Sequence, residues 1–92
     1  MKKLERLLKA LANHRRLAII QTLSRERELP VTGVAGTIRL SLTSTSKHLN
    51  LLYRLDVVDR RQESLVVYYR LANPLPSPVR KLLPEITEKQ YS

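Results

Sequence analysis

Residues 43–48 read Thr-Ser-Thr-Ser-Lys-His. Four small hydroxyls in succession, then an ammonium and an imidazole, put hydrogen-bonding groups on short arms. On a helix, such residues allow close approach to a polyanion. The hydroxyls can reach phosphates or bases, and Lys47 and His48 add donors for phosphate oxygens or guanine edges. Ser and Thr compete with the helix backbone for hydrogen bonds, so a purely structural surface helix has little use for four of them. The competing reading is a capped helix whose hydroxyls only satisfy their own backbone. Ser44 and His48 stand four apart, as a nucleophile and a base could. Nothing in the chain would orient the imidazole or build an oxyanion site, and there is no paired carboxylate in an apolar setting and no phosphate loop. The sequence therefore does not read as an enzyme. With no Cys, it has neither a disulfide framework nor a thiolate metal site. The second histidine, His14, reads as a structural residue in a turn.

The elements that must hold this run follow from the apolar periods. Leu4, Leu7, Leu8 and Leu11 recur at helical spacing, predicting a helix over 3–12. Asn13 is a natural N-cap for a second helix carrying Leu17, Ile19, Ile20 and Leu23. Arg25-Glu26-Arg27-Glu28 is its solvated exit. Pro30 fits the first turn of a short third helix with Val31, Val34, Ala35 and Ile38. Gly33 and Gly36 make that helix dependent on tertiary packing. Ser41 then caps a fourth helix in which Leu42, Thr45, Leu49 and Leu52 face the core, leaving Thr43, Ser44, Lys47, His48, Asn50 and Arg54 on the other faces. After Asp56 the period drops to two: a strand at 57–61, a turn at 62–64, and a strand at 65–71 with Leu65, Val67, Tyr69 and Leu71 on one face. The run from Asn73 to Pro78 ends the hairpin. Ser77 and Pro78 open a last helix, over 77–89, with Val79, Leu82, Leu83 and Ile86 as its apolar stripe. Pro84 should kink or restart it. The order α-α-α-α-β-β-α, mostly helical with a two-stranded β-wing, is a winged helix-turn-helix in a single domain over 1–92.

Charge agrees with an anionic partner. Lys and Arg number 17 against 8 Asp and Glu, a net +9 on 92 residues, which favours nucleic acid first and a membrane surface second. No block of five like charges suggests a disordered cationic arm. No apolar run approaches the ~18 residues of a membrane span, and the N-terminus lacks an apolar signal core. The expectation is a soluble, cytoplasmic domain with no membrane partner.

Three segments resemble the ArsR/SmtB-type winged-helix repressors. Ala10-Leu11-Ala12-Asn13-His14-Arg15-Arg16-Leu17-Ala18-Ile19-Ile20 is similar to the opening of that family. Ser46-Lys47-His48-Leu49-Asn50-Leu51-Leu52 resembles its recognition-helix signature, and Val66-Val67-Tyr68-Tyr69-Arg70-Leu71 its second wing strand. The match runs over residues 4–72. The resemblance implies a homodimeric, sequence-specific regulator of double-stranded DNA, usually a repressor on a palindromic operator. It implies DNA contacts at Thr43, Ser44, Ser46, Lys47 and His48, and phosphate contacts from Arg60 and Arg61. It also implies a dimer interface built by the first and last helices through Leu4, Leu7, Leu8, Leu11, Leu82, Leu83 and Ile86. Those apolar residues could equally serve the protomer's own core, and some of each helix must.

The chain departs from the family where metals bind. Pro30 and Thr32 stand at the thiolate positions of the family's third-helix metal site; proline offers no side-chain ligand and threonine is a poor one for soft metals. The last helix has Glu85 and Glu88 but no His for a second site. The expectation is no metal and no cofactor. Asp56 stands where relatives often have Gly after the recognition helix, and Ser64-Leu65 where their wing tip is often Gly-Arg, which predicts a wing that grips DNA less firmly. The alternative from another class is a winged-helix module for protein interaction or dimerisation, which an apolar or acidic fourth-helix surface would have indicated.

Overall fold

The computed structural model describes residues 1–88. The end of the expected last helix, at Lys89, lies outside them. Five helices and three short strands follow in the order α1 (Lys2–Leu11), α2 (His14–Glu26), β1 (Leu29–Pro30), α3 (Val31–Ile38), α4 (Leu42–Arg54), β2 (Val58–Glu63), β3 (Val66–Leu71) and α5 (Ser77–Thr87). The helix starts follow the capping rules. The Asn13 side chain accepts from the Arg16 amide at 3.0 Å and the Ser41 hydroxyl from the Ser44 amide at 3.1 Å. Each such cap contributes about 1 kcal/mol. His14 is the exposed first residue of α2 rather than part of a turn.

The core lies where α1, α2, α3, α4, the sheet and α5 converge. Ile19, Ile20, Leu23, Val34, Leu49, Leu52, Val57, Val58 and Val79 are fully or almost fully buried there. Apolar burial of this kind, at roughly 25 cal/mol per Å², is the dominant force holding the helices. It also holds α3, whose two glycines give it little propensity of its own.

Helix α4 ends in a left-handed turn. Asp56 has φ 63°, the Val57 amide donates to the Leu52 carbonyl at 2.9 Å, and the Asp56 amide donates to the Tyr53 carbonyl at 3.1 Å. These are the two closing bonds of a Schellman motif. Asp fills the position usually given to glycine because its short polar side chain tolerates left-handed backbone better than most. Arg39 closes α3 in the same conformation, with φ 58°.

The structure adds to some expectations and corrects others. The two-stranded wing of β2 and β3 is present as expected, and an unexpected third strand joins it in the order β1-β3-β2. Leu29 and Pro30 pair with Tyr69 and Tyr68; a two-residue strand carries no readable period, and Pro, with no N–H to give, suits the sheet edge. Pro30 is accordingly extended, and α3 begins after it. The hairpin turn is Ser64-Leu65, because β2 continues to Glu63, which pairs with Val66. Ser64 supplies the positive φ of 57° without a glycine to mark it, and Leu65 stands 93% exposed in the turn instead of sharing a strand face with Val67, Tyr69 and Leu71. Leu42, on the first residue of α4, is 51% exposed, so the buried stripe of α4 is Thr45, Leu49 and Leu52. Helix α5 runs from Ser77 to Thr87 as one element with Pro84 inside it, so it does not restart there. Pro84 is exposed and the i−4 carbonyl belongs to exposed Arg80, so water can replace the missing bond.

Candidate nucleic-acid interface

The buried stripe of α4 fixes which side faces out. With Thr45, Leu49 and Leu52 anchored inside, Thr43, Lys47 and Asn50 are exposed and Ser44 and Ser46 half-exposed. The hydroxyl run is thereby divided. Thr43, Ser44 and Ser46 are available to a ligand, while Thr45 is fully buried and its hydroxyl has no hydrogen-bond partner among the described residues. The acceptor in the Ser41 cap leaves the Ser44 side chain free of capping duty.

His48 is half-buried beside α2. Arg16 Nη1 lies 3.1 Å from His48 Nδ1. A guanidinium has donors only, so Nδ1 accepts and the ring proton sits on Nε2. Burial, then the charges of Arg16 and Arg15, push the imidazole below its ordinary value, which keeps it neutral. The same Arg16 donates from Nε to the Ala10 carbonyl at 2.7 Å. One side chain therefore ties the end of α1 to α4. Arg15 donates to the Ile38 carbonyl at 3.3 Å, near the end of α3. The Arg16–His48 pair, 32 residues apart, has no signal in the sequence beyond the presence of the two residue types.

The two wing arginines are placed differently. They are neighbours on β2, so their side chains leave opposite faces of the strand. The Arg60 guanidinium lies over the Tyr53 ring of α4, 3.8 Å from its centroid, and has no acidic partner within ion-pair distance among the described residues. Arg61 instead forks onto Glu28, with Nε and Nη2 at 2.9 and 2.8 Å from the two carboxylate oxygens, and its Nη1 reaches Glu63 at 3.0 Å. Glu28 is held below the usual carboxylate range by the Arg61 hydrogen bonds and charge, and Arg61 is raised in turn. Sequence reasoning missed Arg16, Glu28 and Tyr53. Only the alternating charges at 25–28 hinted at Glu28, and they suggested plain solvation.

On the far side, the apolar residues of α1 and α5 divide into two sets. Leu7 and Leu11 are buried in the protomer's own core, and Leu83 and Ile86 pack against it half-buried. Leu4, Leu8 and Leu82 are 40%, 46% and 40% exposed. They line two adjoining apolar grooves that share Leu8 and Ala12, of about 480 and 420 Å³.

Among the described residues, no group of three or more His, Cys, Asp or Glu is placed to hold a metal ion. Among the same residues, no helix is long and apolar enough to cross a membrane.

A capped helix with a polar outer face, preceded by a short helix and followed by a β-hairpin, defines a winged helix-turn-helix domain. Comparison with known proteins agrees. The transcriptional repressor PagR of Bacillus anthracis is 34% identical over 77 residues, covering 84% of this chain and 77% of that protein. The cadmium resistance regulator CadC of Listeria innocua is 42% identical over 65 residues, covering 71% of this chain. The chain spans 55% of the length of that relative. The solution structure of the homodimeric winged helix-turn-helix DNA-binding domain of a possible ArsR-family regulator from Mycobacterium bovis superposes with a TM-score of 0.76 at 33% identity, covering 92% of this chain and 75% of that one. No family model matches the chain. The chain belongs to the ArsR/SmtB-type family of winged-helix transcriptional regulators.

Proposed function

We propose that the protein is a homodimeric repressor that binds a palindromic operator in double-stranded DNA and acts without thiolate metal sensing. The observation that carries this reading is the outer face of α4, where Thr43, Ser44, Ser46 and Lys47 are accessible on a helix locked from behind by Thr45, Leu49 and Leu52. In this reading α4 enters the major groove, and Ser46 and Lys47 reach base edges or phosphates. His48 offers its Nε2 proton as a donor, with Nδ1 already engaged by Arg16. Arg60 contacts a phosphate beside the groove. The exposed Leu4, Leu8 and Leu82 supply the two-fold contact, which sets two α4 helices about 34 Å apart. The net charge of +9 supports an electrostatically driven encounter. A chain with no cysteine has no thiolate to offer a soft metal.

Selection of bound duplexes from a random pool by the purified protein, followed by polarisation assays on the winner, tests this. The expected result is an inverted repeat whose affinity falls steeply between about 50 and 200 mM salt. Affinity indifferent to salt, or selection of no common sequence, refutes it.

A further inference from the structure

Arg61 lies on β2, one edge of the sheet, and Glu28 lies just ahead of β1, the other edge. The register places Arg61 opposite Tyr68 and Tyr68 opposite Pro30. The Arg61 side chain crosses the middle strand over the Tyr68 ring, 4.8 Å from its centroid, and forks onto both oxygens of Glu28. A third contact holds Glu63 at the top of the same strand. All three guanidinium nitrogens are thus committed to two carboxylates, and the bond spans every strand of the sheet. The base of the wing is held by Val58, Tyr69 and the Arg60–Tyr53 contact, and its outer part by the ladder between β2 and β3. Beyond Val58, β2 is exposed along its length, and β1 is two residues long.

We propose that Arg61 is a positioning residue, which straps the wing to the α2–β1 corner through Glu28, and that Arg60 alone of the pair is the wing's phosphate ligand. A planar fork is needed for this strap, because lysine matches the charge but not the two parallel bonds. The part concerning DNA rests on the proposed function. The strap itself does not.

The test has two arms, using E28Q, R61Q, R61K and R60Q. Without DNA, amide hydrogen exchange in β2 and β3 should quicken several-fold in E28Q, R61Q and R61K alike and stay unchanged in R60Q. With the selected operator, the same three variants should lose roughly 3- to 5-fold in affinity, the scale of a well-formed exposed ion pair, at an unaltered salt slope. The double variant E28Q/R61Q should lose no more than either single one. R60Q should lower the slope by about one. Unchanged exchange in E28Q and R61Q overturns the strap. Tighter operator binding by E28Q, or a slope lowered by about one in R61Q and restored in R61K, overturns the assignment and makes Arg61 a phosphate ligand masked by Glu28. If the wild-type protein binds no duplex, the DNA reading fails, and the exchange arm still decides the strap.

Discussion

The two exposed surfaces formed by helices have opposite chemistry. On α4, the outward positions carry hydroxyls, Lys47 and Asn50, and every apolar residue of the stripe except Leu42 is buried. On α1 and α5, outward positions still carry leucines, after Leu7, Leu11 and Val79 have already satisfied the core. A helix facing only water needs one apolar stripe. One that keeps a second has apolar area to bury elsewhere, whereas a polar, basic face suits a hydrated, charged partner. Arg16 joins the two surfaces, touching α1 through the Ala10 carbonyl and α4 through His48.

The largest effect should come from breaking the apolar surface. L8E places a carboxylate between Leu4 and Leu82 without entering the core. The expected outcome by sedimentation is a folded monomer, with operator affinity lowered at least about 100-fold because the second recognition helix is no longer tethered. A dimer that survives L8E and L82E together would mean that this face is not the interface. Next in size, the double variant S46A/K47A should weaken operator binding by about 1–3 kcal/mol per lost base contact, with no fall in melting temperature. A loss of fold would instead assign these residues a structural role.

Smaller still, T45V replaces a buried hydroxyl with no partner by a methyl of similar shape. It should stabilise the protein by about 1 kcal/mol, raising the thermal midpoint by about 4–8 °C, and leave DNA binding intact. A destabilised variant would show that the hydroxyl is bonded in solution. The smallest effect concerns the link between the surfaces. His48 titrates lower in the folded chain than in the unfolded one. The unfolded state therefore takes up more protons between those two values. The contribution of the neutral imidazole is complete above about pH 6.5 and is lost as pH falls below it. The melting temperature should drop more between about pH 7 and pH 5 in the wild type than in H48Q. Equal drops would remove His48 from the account.

Local rules made much of this protein legible in its residues. Apolar periods of 3.6 and 2 give the five helices and the hairpin, and Asn13 and Ser41 announce the helices they cap. The run from Thr43 to His48 marks the candidate surface because its residue types contradict a purely structural helix. The absence of cysteine rules out thiolate chemistry whatever the fold. These features depend on neighbours within a few positions, where backbone geometry is nearly a function of sequence. The rest needed distant parts brought together. The strand at Leu29–Pro30 exists because β3 arrives beside it. Which leucines of α1 remain for a partner depended on how much area α2 and α5 covered. Adjacent Arg60 and Arg61 looked equivalent in the chain, yet one rests on Tyr53 and the other is taken by Glu28, 33 positions away. Charge and spacing say that a cation is present; packing settles which anion it meets.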